Sequence, residues 1–475
     1  MMITHWIDGK AEKSADGATF KTVNPWTQQT WDDVCEAGAG EVDAAVSAAR
    51  VAFDDGPWSK MGFGERGEIL HRLADLIEEH IEELAHADTN DMGKPLSAMW
   101  TKDVPRAAQN FRFFADHARM SMAEAYPMDG GHHAYSRYEP AGVVAAIAPW
   151  NFPLMLESWK IAPALAWGNT VVLKPAEDTP ASATIMARLA TEAGVPDGVL
   201  NVIHGFGPDA AGEQLTHHEG IDRITFTGES ATGRHIAAAG AKQLVPVSLE
   251  LGGKGANIVF EDADMDAAVE WSNKAIFTNA GQVCLAGSRL LVQSSILDDF
   301  VQRFVESAKA MTVGDPTDGA TQIGPLASQS HFQKVAGFFD DLDPAAEVLC
   351  GGVATDGSWA VHPTVIKNAP LNARICREVV FGPVVTILPF DTEEEAVELA
   401  NDTMYGLNAM LFSENTRRTH RVAQALNAGT VWVNCFFVRD LRAPFGGVGW
   451  SGVGREGGNF SREFFTEPKA VVMQP

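Results

Sequence analysis

Short apolar runs separated by amphipathic stretches dominate the chain from residue 143 onward. Val143–Ile147, Thr170–Leu173, Val199–Ile203, Ile224–Phe226 and Val247–Leu251 each suit one strand and are too short for a helix. Between them, Ser182 to Ala193 carries helical spacing and closes on Gly194-Val195-Pro196. A second series follows, with Asn257–Phe260, Leu290–Val292, Val384–Leu388, Ala409–Phe412 and Thr430–Asn434. This alternation of strand and helix predicts mainly parallel, doubly wound sheets. Two α/β domains are expected, meeting near Gly252-Gly253.

The first third reads differently. Residues 1 to 40 predict short strands and turns, and helical periodicity begins with Val42, Val46, Ala49 and Phe53. One longer helix is expected to carry Ile69, Leu70, Leu73, Leu76, Ile77, Ile81 and Leu84 on one face. Another spans Val104 to Ala118 and contains Arg106, Asn110 and Phe113. From Met128 to Tyr138 the pattern breaks, which suggests an excursion outside the main core.

Charge and cysteine content narrow the function classes. A net charge of −26 over 475 residues argues against nucleic acid or an anionic membrane as partner. On so acidic a surface, an anionic substrate would need locally placed arginines. The five cysteines are scattered without a CxxC pair, which argues against a disulfide framework or a metal site and fits a reducing compartment. No apolar run approaches a membrane span and the first residues lack a leader pattern, so a cytoplasmic protein is expected.

The candidate chemistry centres on Phe277 to Arg289, FTNAGQVCLAGSR, where Cys284 sits between Gly281 and Gly287. Small neighbours let backbone N–H groups approach whatever the sulfur attacks, although a free thiol must be tuned before it works at neutral pH. Glu250 ends an apolar strand, where burial would raise its pKa toward a general base's. Asn151 stands between two prolines after another strand, a rigid setting for an oxyanion-hole amide. Lys174 and Glu177 follow a strand at its carboxyl end, where open sheets bind ligands and ribose hydroxyls could be held. Thr227-Gly228 leads into a helix start with Gly233, which suits a pyrophosphate; without a Walker lysine, nucleotide hydrolysis is disfavoured. Each of these also has a plain structural reading, as core residue, strand-end acceptor or turn.

Taken in order, APWNFP, KPAE, FTG with a following glycine, LELGGK, GQxC and FGPV resemble the NAD(P)-dependent aldehyde dehydrogenase superfamily over nearly the whole chain. The resemblance implies that Cys284 is the nucleophile, Glu250 the general base and Asn151 the oxyanion donor alongside the Cys284 backbone N–H. It assigns Lys174 and Glu177 to the adenosine ribose, Phe381 to the nicotinamide ribose, and Trp150, Gly228 and Gly252 to the cofactor cleft. NAD is favoured by the acidic residue, with NADP possible, and no metal is implied. The implied fold is α/β and aldehyde dehydrogenase-like, with two doubly wound α/β domains and a small β oligomerisation arm. Residues 1–118 and 141–252 would form the dinucleotide-binding domain, 253–455 the catalytic domain, and 119–140 with 456–475 the arm of a homodimer or homotetramer.

Two departures from the family pattern stand out. Val379 occupies the position of a ribose-binding glutamate, with Glu378 one residue out of register and so facing the other way in an extended segment. Glu229 replaces a common serine beside the expected pyrophosphate. For the substrate, the RDLR-then-PFGG stretch and FTGES resemble hydroxymuconic and aminomuconic semialdehyde dehydrogenases, which act on aldehydes carrying a carboxylate. Arg106 and Arg439 are the expected carboxylate binders, against the plain alternative of a surface pair between Arg439 and Asp440. A broad-range or betaine-type aldehyde dehydrogenase is the alternative reading. A CoA-acylating relative would usually lack Glu250, and a non-catalytic structural relative would be expected to lose some of the catalytic trio.

Overall fold

A computed structural model of the chain describes residues 2–474. Its first large sheet has five parallel strands in the spatial order Leu200–Val202, Thr170–Lys174, Val143–Ile147, Arg223–Thr227 and Val247–Glu250. Antiparallel strands close both edges: Gly452–Val453 beside Val247–Glu250, and His5–Ile7 with Lys10–Glu12 beside Leu200–Val202. The strands Val143–Ile147 and Thr170–Lys174 are buried at every position, which explains their uniformly apolar look. Helices Val104–Arg119, Pro153–Ala166 and Ala181–Ala193 contribute to the hydrophobic cluster on one face, and Ala39–Asp54 to that on the other.

The second sheet runs Glu347–Val353, Val361–Lys367, Val384–Phe390, Arg289–Gln293, Ala256–Val259, Asn408–Phe412 and Thr430–Val433, parallel except for its first pair. All ten strands expected in the two series are present, with ends moved by a residue or two. The pair Glu347–Val353 and Val361–Lys367 was not expected. A third, three-stranded sheet joins Ala125–Pro127, His133–Pro140 and Thr466–Met473.

Three expectations need adjustment. The helix expected to carry both Ile69 and Leu84 is two helices, Phe63–Glu79 and Ile81–Met92, broken at His80 (φ −101°, ψ 25°). The apolar spacing continues through the break because both helices face the same core. At the C-terminal end the expected boundaries divide otherwise. Gly452–Val453 already belongs to the first sheet, and Phe464 and Phe465 of helix Gly458–Phe465 pack into the first cluster, leaving Thr466–Met473 to pair with His133–Pro140.

Asn151, Lys174, Gly228 and Gly252 all lie just beyond or at the carboxyl ends of parallel strands. Successive strands leave Val143–Ile147 on opposite sides, toward Thr170–Lys174 and toward Arg223–Thr227. Such a switch point opens a crevice at the strand ends, the usual ligand position in this architecture.

Candidate active site

Cys284 is carried on a loop that the backbone forces outward. After helix Met265–Phe277, three successive residues adopt left-handed conformations: Asn279 (φ 54°), Ala280 (φ 53°) and Gly281 (φ 71°). Two non-glycine residues there store roughly 1 kcal/mol or more each, so neighbouring bonds must hold the loop. Gly281 is obligatory, since a Cβ would lie 2.1 Å from the Gly382 carbonyl oxygen. Asn279 Nδ2 donates to the Asn151 carbonyl at 2.8 Å, and Asn151 Nδ2 donates to the Gln282 carbonyl at 2.9 Å. Gln282 in turn accepts from Ala327 N at 2.9 Å. Asn151 is thus stitched to the cysteine loop, with one of its two amide hydrogens left over.

The half-buried Cys284 sulfur is faced by its own backbone N–H and that of Leu285. These do not make it acidic. Burial first, then the nearby Glu250 charge, pushes the thiol up to about 12, with Arg439 pulling the other way. This direction is opposite to the lowering that activates a thiol at neutral pH.

Glu250 ends its strand in full burial, and its carboxyl is raised well above the usual range by burial and then by Glu456, as expected for a base. Gly446 (φ 144°) makes room for it: a Cβ there would stand 2.5 Å from Glu250 Oε1. Two partners escaped the sequence. Buried Lys160 donates to Glu456 Oε1 at 3.3 Å and Thr225 Oγ1 at 3.0 Å, while Trp159 Nε1 donates to Glu456 Oε2 at 2.6 Å. Both Lys160 and Glu456 act electrostatically on Glu250, one lowering and one raising its pKa. The available signal was a lysine inside the otherwise apolar run WKIAPALA.

The cofactor candidates gather along the strand ends. Buried Lys174 donates to the Pro175 and Gly205 carbonyls at 2.8 and 2.7 Å, with Glu177 Oε2 at 3.5 Å. Gly228 N donates to the Glu250 carbonyl at 3.0 Å, and a Cβ on Gly228 would meet the Phe226 ring at 2.4 Å. Phe381 holds a left-handed backbone (φ 58°), and its ring stands edge-on to Trp150 at 5.3 Å. Val379 Cγ2 lies 3.6 Å from where a Gly252 Cβ would be, so Val379 and Gly252 face each other. Glu378 is turned to Arg374 at 3.0 Å and does not replace the missing carboxylate. Glu229 is turned to Lys334 at 2.9 Å, so its charge has a cationic partner. The lysine–glutamate pair and the helix start at Ser230 fit one end of a dinucleotide; the other end lacks a ribose carboxylate. Among the described residues, no group of His, Cys, Asp or Glu could hold a metal ion.

The two arginines point inward. Arg439 lies over the Phe445 ring at 3.9 Å and the Trp159 ring at 4.9 Å, and its Nη2 is sealed from solvent without a hydrogen-bond partner. Burial and then the charge of Arg106 pull it down to about 10. The plain alternative is overturned, because Asp440 is paired to Arg442 at 2.6 Å rather than to Arg439. Arg106 Nε donates to Asn110 Oδ1 at 3.0 Å. Neither Arg106 nor Arg439 makes an ion pair among the described residues.

A cysteine loop tied to an amide side chain, a buried carboxylate and a strand-end crevice thus come together, and residues 12–471 match the aldehyde dehydrogenase family. The chain belongs to that family and is an enzyme of its class. It is 48% identical to the 2-hydroxymuconic semialdehyde dehydrogenase of Pseudomonas sp. (strain CF600), over 99% of both chains. Identity is 43% to a 2-aminomuconic 6-semialdehyde dehydrogenase of Pseudomonas sp., over 99% of this chain and 97% of the relative. The solved NAD+ complex of an aldehyde dehydrogenase from Bacillus cereus superposes with a TM-score of 0.98 at 41% identity, over 100% of this chain and 97% of that one.

Proposed function

We propose that this enzyme oxidises a carboxylated semialdehyde of the muconic type to the corresponding acid, with NAD as oxidant and a thioester on Cys284 as intermediate. The observation that carries the substrate class is the pair Arg106 and Arg439. Two guanidinium groups near each other, without an ion-pair partner and with a sealed Nη2, are unfavourable until an anion enters. A carboxylate meets a guanidinium through two parallel charge-assisted hydrogen bonds. A quaternary-ammonium aldehyde would instead meet two like charges, which disfavours the betaine-type alternative.

The catalytic steps follow from the same geometry. As the Cys284 sulfur bonds to the aldehyde carbon, Glu250, whose charge faces that sulfur, takes the thiol proton. The carbonyl oxygen becomes an oxyanion held by the spare Asn151 amide hydrogen and the Cys284 backbone N–H. NAD, when bound, supplies the acceptor for the hydride that leaves this adduct, and Lys174 with Glu177 would hold its adenosine ribose. Glu250 then gives the thiol proton up to solvent and is a base again. Water attacks the remaining thioester as Glu250 accepts the water proton, the C–S bond breaks, that proton returns to the Cys284 sulfur and the acid departs. The edge strand Thr466–Met473, with Val472 and Met473 exposed, supports association of copies into a homodimer or homotetramer through the arm.

The test is NADH formation, read at 340 nm, with NAD and a panel of muconic-type semialdehyde, succinic semialdehyde, an unbranched neutral aldehyde, benzaldehyde and betaine aldehyde. Preference for the carboxylated members, lost with all turnover in Cys284→Ala, is the expected result. Equal turnover of neutral aldehydes would discard the substrate class and leave the chemistry standing.

A further inference from the structure

Arg106 has one nitrogen already committed, and the residue that commits it is unusually constrained. Helix Val104–Arg119 places Asn110 one turn beyond Arg106, where i and i+4 side chains meet. Asn110 is buried and spends both amide hydrogens on the neighbouring helix Pro153–Ala166: one on the Met155 carbonyl at 3.2 Å, one on Ser158 Oγ at 3.0 Å. Ser158 Oγ donates its own hydrogen to the Met155 carbonyl at 2.9 Å, so toward Asn110 it can only accept. The amide therefore cannot flip. Its Oδ1 is left for Arg106 Nε at 3.0 Å, and the two terminal Nη groups remain free.

An asparagine does this where an aspartate could not. A carboxylate at 110 would oppose the Met155 carbonyl with a second acceptor and would also neutralise the Arg106 charge. The amide fixes the guanidinium's direction and leaves its charge available. The same helix also registers the second cation, since Trp159 lies under Arg439 at 4.9 Å, and Asn151 stands two residues before the helix begins. One rigid element thus spaces both cations relative to the oxyanion donor.

We propose that Asn110 is a positioning residue for substrate specificity: it orients Arg106 as a carboxylate anchor, and helix Pro153–Ala166 sets the distance between that anchor and the reacting carbon. The inference rests on the carboxylated-semialdehyde reading above.

Steady-state kinetics with succinic semialdehyde, a muconic-type semialdehyde and a neutral aldehyde of similar length would be compared for the wild type, Asn110→Ala, Asn110→Asp, Arg106→Ala and the double variant Asn110→Ala/Arg106→Ala. Asn110→Ala and Asn110→Asp are expected to lose about tenfold in kcat/KM for the carboxylated aldehydes, chiefly through KM, with the neutral aldehyde spared. In the Arg106→Ala background, Asn110→Ala is expected to add no further loss of selectivity. An equal loss for every aldehyde, or an additive loss in the double variant, would reduce Asn110 to a structural role and overturn the proposal. If Arg106→Ala loses selectivity and Asn110→Ala does not, positioning fails while the substrate reading survives. If the wild type does not prefer carboxylated aldehydes, the substrate reading itself fails, and this inference with it.

Discussion

Lys174 and Arg439 are both basic side chains whose pKa burial lowers, and they are held in opposite ways. Lys174 gives its hydrogens to two backbone carbonyls and has Glu177 beside it, so its geometry is complete in the free protein. Arg439 rests on aromatic faces, has an unpartnered Nη2 and faces another arginine. A satisfied cation works as a fixed part of a wall. An unsatisfied one is a receptor, because its burial is offset only when an anion arrives.

The contrast can be broken first at Arg439. Arg439→Ala is expected to lower kcat/KM for a carboxylated semialdehyde by roughly 100-fold while sparing neutral aldehydes. Equal losses would show that Arg439 serves the nucleophile rather than the substrate. A smaller effect is expected at the other end, where Glu177→Ala removes the acid beside the ribose site. The ratio of kcat/KM with NADP to that with NAD should rise by about tenfold, and an unchanged ratio would remove Glu177 from coenzyme selection.

The mildest change concerns Glu250, which lies between the two ends. Its carboxyl is raised by burial and then by Glu456, so base-dependent turnover should climb as pH rises through that raised value. Glu456→Gln removes a raising charge and leaves Lys160, Arg439 and Arg455, which lower it. The acidic limb of the kcat–pH profile should therefore move to lower pH. Movement to higher pH would contradict the charge arrangement around Glu250.

How much of this was legible in sequence depended on where each residue's partners lie. Ten parallel strands were legible because burial on both faces makes them apolar runs. Val361–Lys367, parallel to Val384–Phe390, was not, because His362, Pro363 and Thr364 interrupt its apolar pattern. Glu347–Val353 was not, because it is an edge strand with only Cys350 buried, register shifts around that residue and glycines at 351 and 352. The break at His80 was hidden by apolar spacing that continues through it. Cys284, Glu250 and Asn151 each sit in a local context that also suits a plain structural residue, and only the ordered run of motifs singled them out as candidates. Lys160 and Glu456 meet across 296 residues, and no local pattern signals such a pair. The direction of the Cys284 shift was illegible for the same reason, since burial is a property of the assembled fold.

The path of the chain between its two large sheets has a mechanical consequence. It leaves the first sheet after Glu250, enters the second at Ala256, and returns between Val433 and Gly452. The two crossings are reinforced by hydrogen bonds between the lobes, Asn151 Nδ2 to the Gln282 carbonyl and Asn279 Nδ2 to the Asn151 carbonyl, so the seam behaves like a riveted joint. Cys284 belongs to one lobe, Glu250 stands at the first crossing and Arg439 at the second. The spacing of these three side chains is therefore set by the joint between the lobes and not by either lobe alone.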